Sequence, residues 1–518
     1  MLSRPSAADM FTATSRWSSS SSNEPARRQR LRRREPGRPS AALVFVLAAA
    51  FAAALVALTG CGSGAGDLPA RPSSSPAASA TPSSSTAPKP KPTQKAVSVK
   101  SFGAKGDGAT DDTAAVRSAL AATAGQGVAV TLPPGTYVVG SLVVPQGSTL
   151  LGQGTGTSWI KGRVEIAGRV RVADLQLGVD GAALRFANGA AHTLFERVSF
   201  VGGGGVDSGE DQGVIRFAGG RSASSIAFVD CAIGANSANG NGVSMVSYGW
   251  SGATYRDISW RRCHFASSPR MTFEVIQRFD GAHAPSDGYR RIDLIDCEFE
   301  PSGSETISYD AIGDGGYSTI SGCTFKGAGW NRAYPYGQGI EFNGATAMRF
   351  VGNTVYRCRG AMINHSGGDG VTTGTVIAHN LFDGTVTHIT AVPTRPTQTI
   401  YFNGVSGARF HDNVIRTDVG GELAYIDSSS DDLFAHNSWT DERPAGSAFA
   451  CLVLTDASRA VTFDGERFTT AAAGAAAYVQ SGTTGTLFKD CVFVLTAGAT
   501  PVRYDPGLTV EMSGTRTD

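Results

Sequence analysis

The chain has 518 residues, a formal net charge of +1 and 17% charged residues, which excludes the basic footprint of a nucleic-acid-binding protein. It is longer than one ordinary hydrophobic core requires, yet a fold that grows by repetition needs no second core at this length. Glycine makes up 65 of the 518 residues, which suits a backbone that turns tightly many times.

The first distinct signal is a basic run, Arg27-Arg28-Gln29-Arg30-Leu31-Arg32-Arg33-Arg34, followed by an apolar stretch from Ala41 to Leu58. Basic then apolar is the pattern of a secretory signal with a long leading region. An apolar run of about 18 residues is also just long enough to span a membrane uncleaved. The end of the run, Leu58-Thr59-Gly60-Cys61, resembles the bacterial lipobox. That resemblance implies that residues 1–60 are removed and that Cys61 carries a lipid anchor. The expected location is the extracytoplasmic side of a bacterial cell membrane, with secretion as the alternative. Residues 61–95 are rich in Ser, Pro and Ala, as in Pro88-Lys89-Pro90-Lys91-Pro92, and are expected to be a disordered tether.

The folded part is expected at 96–518, with an opening module at 96–160. In Gly106-Asp107-Gly108-Ala109-Thr110-Asp111-Asp112-Thr113, Thr110 is the expected N-cap of a short helix, and Asp111 and Asp112 fall in its first turn, where the helix dipole favours acids. Gly125 is the expected stop. Strands follow around Val130-Thr131-Leu132-Pro133-Pro134-Gly135-Thr136-Tyr137 and Ser148-Thr149-Leu150-Leu151. A small helix placed there would cover the open end of a stack of strands. The Gly-Asp-Gly-x-Thr-Asp-Asp-Thr and Leu-Pro-Pro-Gly-Thr-Tyr strings resemble the start of the pectate lyase-like superfamily, the rhamnogalacturonase- and epimerase-type β-helix proteins. The resemblance implies the fold and leaves the reaction open. The Asn-Thr-Asp, Gly-His-Gly and Arg-Ile-Lys strings of polygalacturonases are missing here, as are the Trp-Ile-Asp-His and Arg-x-Pro-x-x-Arg strings of pectate lyases.

Beyond the module one short phrase returns: Asp230-Cys231-Ala232-Ile233, Arg262-Cys263-His264-Phe265, Asp296-Cys297-Glu298-Phe299 and Gly322-Cys323-Thr324-Phe325. It continues with Asn at Asn353, Asn380, Asn413 and Asn437, and closes with Asp490-Cys491-Val492-Phe493. Steps from Cys231 to Asn437 run from 24 to 34 residues, the period of stacked structural units. Short alternating runs such as Gly339-Ile340-Glu341-Phe342-Asn343, with no sustained helical period, exclude helical solenoids. The fold class expected is all-β: a right-handed parallel β-helix with a short N-terminal capping helix. The repeated Cys or Asn is then an internal ladder, and six cysteines, all but Cys451 of those after Cys61, are assigned to ladder or equivalent positions. Reduced, stacked thiols and disulfides remain alternatives at that spacing.

On a β-helix, outward residues of successive coils line up about 4.8 Å apart. Counting along the coils collects Glu274, Glu305, Tyr309, Asp310, Glu341, Asn343, Asn364 and His365 into one expected column. Its acids repel unless a shared proton or a cation such as Ca2+ holds them together. For hydrolysis, Glu305 or Asp310 with Glu341 would supply the two carboxyl groups; for β-elimination, Tyr309 or His365 would be the base. Trp330, Tyr334 and Tyr336, in a Gly- and Pro-bounded insertion, are candidate sugar platforms. Tyr248, Trp250 and Tyr255 form a similar cluster, and Arg278 to Arg291, with Tyr289, is a candidate positive loop for an acidic glycan. The reading favoured is an enzyme, a lyase or hydrolase acting on a uronate-containing or other acidic polysaccharide. The alternative is a non-catalytic glycan-binding or adhesive β-helix at the cell envelope.

Overall fold

The computed structural model describes residues 95–518 apart from 180, 204–212, 218–220, 236–239, 249–253, 279–288, 311–316, 335–336, 368–371, 390–397, 445–448, 472–473 and 497. The signal segment, Cys61, the tether, Trp250 and Tyr336 lie outside the described residues.

A single coil shows how the sequence makes the structure. Arg349–Val351 is a strand with Phe350 turned inward and fully buried. Gly352 reverses the chain at φ +67°, Asn353 points inward, and Thr354–Tyr356 leaves as a second strand. After a corner, Ile363–Ser366 forms a third strand, and the chain returns to Val376–Ala378 beside its own start, with Phe350 opposite Ile377. Repetition builds three parallel sheets, named first, second and third after these strands. Among the described residues 42 strands join by parallel pairing. The expected right-handed parallel β-helix is the observed fold, with the hand that parallel crossovers take. Inward rings stack from coil to coil, as in Phe228 on Trp260 at 4.8 Å and Phe265 on Phe299 at 4.4 Å.

The turn between the first and second sheets is the repeating phrase. Arg197, Asp230, Arg262, Asp296, Gly322, Gly352, His379, Asp412, His436, Gly465 and Asp490 all have positive φ. Only glycine takes that conformation freely; Asp and His are among the side chains that tolerate it best. The next residue on each coil is buried: Val198, Cys231, Cys263, Cys297, Cys323, Asn353, Asn380, Asn413, Asn437, Glu466 and Cys491. Each amide in the Asn stretch is satisfied within the stack. Asn380 Oδ1 accepts from the main-chain N–H (2.8 Å) and the Nδ2 (3.1 Å) of Asn353, while Asn380 Nδ2 donates to Phe350 O and to Asn413 Oδ1, both at 2.9 Å. In the thiol stretch each S–H reaches main-chain carbonyls, as Cys263 does to Phe228 O and Arg261 O, both at 3.5 Å. All seven described cysteines are free and buried thiols.

Three expectations change. The helix runs Thr113–Thr123 with Asp112, not Thr110, at its N-cap, because Asp107–Asp111 is drawn into a strand. The buried Asp112 carboxylate accepts from Lys105 N (2.6 Å) and Gly106 N (2.9 Å) instead of capping its own helix, while Asp111 takes the Thr113 N–H at 2.9 Å. Gly125 does follow the helix end, at φ +73°. Cys358 is not a ladder residue: Asn353 fills that place on its coil, and Cys358 packs at the corner beyond the second strand. Finally, the ladder does not skip a coil between Asn437 and Cys491, because Glu466 completes it.

Glu466 Oε1 accepts from Asn437 N (3.1 Å) and Nδ2 (2.9 Å), and Oε2 takes the buried Trp439 indole N–H. Burial pushes this carboxyl up to about 8, despite those three donors. An acid whose pKa is higher in the folded than in the unfolded chain stabilises the fold below its unfolded pKa, near 4.5, and loses that contribution as pH rises towards 8. The Tm is therefore expected to fall between pH 5 and pH 9. In Glu466→Gln the fall should be smaller, leaving the variant the more stable protein at pH 9. Equal Tm slopes in a calorimetric pH series would show that Glu466 does not carry this effect.

Candidate functional site

Register on the third sheet converts the repeat into an outward column. Glu165, Arg185, Arg216, Ser244, Glu274, Ser308, Glu341, Asn364, Tyr401 and Tyr425 are successive partners on adjacent coils. Two residues further along the strands runs a second row, Asp310, Asn343, Ser366, Asn403 and Asp427. Asp427, but not the neighbouring Asp456, keeps this register, because Thr455 is its partner.

The acids concentrate on three coils. Ser308 Oγ donates to Glu341 Oε2 at 2.9 Å, and Asn364 Nδ2 lies 3.5 Å from Glu341 Oε1. Glu274 is buried and accepts from Asn241 Nδ2 (2.9 Å) and Ser244 Oγ (3.1 Å), with Arg270 Nη2 at 3.3 Å. Glu305 lies just before its strand, 2% exposed, with the Ser304 hydroxyl donating to it. Burial raises the Glu305 carboxyl, and the Glu274 carboxylate adds to the effect against the opposing pull of Arg270. Burial likewise pushes Glu341 up to about 8, reinforced by Glu305 and then Asp310. Glu341 nonetheless keeps part of its side chain open to solvent. A carboxyl held protonated near neutral pH on a half-buried outward residue, beside Glu305 and Asp310, is an arrangement suited to proton transfer.

The sequence column is only partly assembled. Glu305, Asp310, Glu341 and Asn343 share this face, and Asn343 Nδ2 donates to Asp310 Oδ1 at 2.9 Å while its own Oδ1 accepts from Ser366 Oγ at 2.9 Å. Tyr309 and His365 do not belong to it. Both are fully buried on the inward face: Tyr309 Oη donates to Ile292 O at 3.0 Å, and the His365 ring packs edge-on between Phe342 and Phe402. Burial raises the Tyr309 phenol well above its ordinary range and lowers His365 to about 4, so neither is available as the surface base the sequence suggested. Alternation along a strand forbids adjacent residues from sharing a face, and Asp310 and Asn364 hold the outward one.

The aromatic insertion is tied down. Trp330 Nε1 donates to Pro301 O (3.1 Å) and Ser267 Oγ (3.2 Å), and Asn331 Nδ2 donates to Pro269 O (3.0 Å), so the loop seals onto preceding coils. Tyr334 is half-buried, and its carbonyl accepts from Arg359. Tyr255 and Tyr289 stack on each other in the core at 5.4 Å rather than forming a surface cluster. Arg278 ends the strand Phe273–Arg278, and its side chain is outside the described residues. On this face the Asn343 amide turns its N–H to Asp310, and the Ser308 hydroxyl and Asn364 Nδ2 bind Glu341, while Asn364 Oδ1 has no hydrogen-bond partner. Ser308, Tyr401 and Tyr425 escaped the sequence reading, since only register places them in the same column as Glu341, and Arg270 was missed as the partner of Glu274.

The proton on Glu341 can be checked directly. In carbon-13 NMR of the Glu-labelled protein, alongside Glu466, the Glu341 carboxyl is expected to titrate near 8, as its environment demands. Glu341→Gln should remove that resonance, and Glu305→Gln should shift it to lower pH as a like charge is lost.

Comparison with known proteins places the fold in context. The sequence profile of the family described as rhamnogalacturonase A/epimerase, pectate lyase-like, matches residues 96–193. Among curated proteins, a non-secreted LysM effector of Penicillium expansum is 45% identical over 60 residues, which span 11% of this chain and 5% of that protein's length. Among solved structures, tailspike protein 3 of bacteriophage CBA120 superposes with a TM-score of 0.48 at 14% identity, over 81% of this chain and 61% of that one. PfbA, a surface adhesin of Streptococcus pneumoniae, gives 0.42 at 13% identity, covering 82% of this chain and 91% of its own. The A-module of a mannuronan C-5 epimerase of Azotobacter vinelandii gives 0.36 at 14%, covering 81% and 97%. Residues 96–193 are thus similar to the pectate lyase-like family, and the described residues form a parallel β-helix.

Proposed function

We propose that this is an exported, surface-tethered protein that cleaves a uronate-containing or other acidic polysaccharide on the outward face of the third sheet. The observation that supports the reading is the carboxyl of the half-buried, outward-placed Glu341, raised to about 8 beside buried Glu305. In hydrolysis a carboxyl that is still protonated near neutral pH gives its proton to the leaving glycosidic oxygen. Asp310, in the next row of the same face, is then the second carboxyl, acting as nucleophile or as base towards water. In β-elimination the roles reverse: Glu341, deprotonated above its raised pKa, takes the proton beside the uronate carboxylate, the freed electron pair forms the new C=C bond, and the glycosidic C–O bond breaks with its oxygen protonated by water. Ser308 and Asn364 orient Glu341 in either case. Export and the lipid anchor at Cys61 rest on the sequence signal alone.

A second reading, binding without cleavage, is favoured by the half-buried outward row that continues past Asn364. Tyr401 and Tyr425 stand on consecutive coils with ring centroids 6.0 Å apart, a surface on which sugar rings can stack.

Incubating the full chain with a panel of acidic and neutral polysaccharides separates these outcomes. New reducing ends with the ultraviolet absorbance of a new double bond mean elimination, and reducing ends without it mean hydrolysis. Retention of an intact glycan means binding only. Where cleavage is seen, Glu341→Gln should lower kcat by roughly 100-fold or more, the usual scale of a lost general acid or base. Unchanged cleavage in that variant would place the chemistry elsewhere.

A further inference from the structure

The edge between the first and second sheets carries side chains that the third-sheet face does not use. On three consecutive coils the positive-φ position is held by His379, Asp412 and His436, at φ +57°, +56° and +56°. The coils on either side have glycine there, Gly352 and Gly465. His and Asp tolerate this conformation, which accounts for these three residues as turn formers. It does not account for His411, which ends the strand Arg409–His411 and needs no special φ. His411 turns its Nδ1 to Asp412 Oδ2 at 2.7 Å, and His379 Nε2 approaches the same oxygen at 4.0 Å. The two imidazoles meet edge to face, with centroids 5.6 Å apart. One ligand atom from each of His379, His411 and Asp412 lies within 4.8 Å of the other two. All three are accessible, with side chains 61%, 32% and 41% exposed.

Four-coordinate zinc holds its donors at about 2.0–2.2 Å, which sets them roughly 3.3–3.5 Å from one another. The separations of 2.7 Å and 4.0 Å bracket that value, and exposed side chains can close the difference by small rotations. Two imidazoles and one carboxylate suit zinc and its borderline neighbours, not the all-oxygen preference of Ca2+ or Mg2+. The other cluster of ligating side chains among the described residues, His264, Glu298 and Glu300, differs in one decisive respect. Lys326 Nζ stands 2.5 Å from Glu298 and 2.6 Å from Glu300, so a cation is already built into it. No lysine or arginine forms an ion pair with Asp412 among the described residues; its ion-pair partners there are His379 and His411.

We propose that His379, His411 and Asp412 form a binding site for Zn2+ or a similar borderline divalent cation, clamping two consecutive coils at their shared edge. Three protein ligands leave a fourth position for water or for a donor from a partner, and His436 stands next in the same row. This site lies on a different edge from the third-sheet face and does not depend on its chemistry.

The test is calorimetric titration of the full chain, stripped with chelator, with ZnCl2. His379→Gly and Asp412→Gly remove ligands while keeping a residue that favours the left-handed turn, so loss of fold does not confuse the result. His264→Ala serves as the control for the competing cluster. The expected result is binding in the unaltered protein that weakens at least about tenfold in each glycine variant and is unchanged in His264→Ala. Zn2+ should also raise the Tm of the unaltered protein and not of the double glycine variant. Absence of binding up to about 1 mM Zn2+, or binding that survives the double variant, would overturn the proposal.

Discussion

Everything in this molecule depends on the two-residue turn between the first and second sheets. One residue adopts a left-handed conformation, and the next sends its side chain into the core, where it must find hydrogen-bond partners. In the Asn stretch those partners belong to adjacent coils: Asn353, Asn380 and Asn413 each receive or donate main-chain and side-chain bonds across the stack. Breaking such a bond in the interior leaves a group that costs about 1–3 kcal/mol. The ladder thereby locks each coil to the next in a single register, and a slip of one residue would turn every strand inside out.

Register also explains the chemistry of the outer face. Parallel strands stack equivalent positions directly, so Glu274, Ser308, Glu341 and Asn364 align without any local motif. Glu305 arrives beside them from the turn before its strand. Of these acids, Glu305 and Glu341 are pushed towards their neutral forms by burial and by neighbouring acids, against the opposing hydrogen bonds of Ser304, Ser308 and Asn364. Glu466 shows the same physics inside the ladder, where a carboxyl with three donors is still raised by burial. The fold tolerates it because the Trp439 indole N–H supplies the donor that a further asparagine would not need.

Particular residues show how far the sequence could be read. The ladder from Cys231 to Asn437 was legible because the same side-chain type recurs at similar intervals. Glu466 was not, since a carboxyl in an amide position breaks the pattern by type while preserving it by geometry. Tyr309 and His365 were assigned to the surface because sequence counting cannot settle parity when turns vary in length. The structure settles it, placing Tyr309 between Val275 and Phe342 in the inward register. Trp330 was an ambiguous ring in a loop until its N–H was seen bonded to Pro301 O.

The amino-acid sequence by itself determined the repeating turn, the alternation of its strands and hence the parallel β-helix, because these depend on local conformational preference and on a period written along the chain. Only the tertiary structure decided which side chains meet. Insertions between coils change the count from one rung to the next, so the neighbours of Glu341, and the approach of His379 to Asp412 from a separate coil, follow from hydrogen-bonded register and not from distance in sequence.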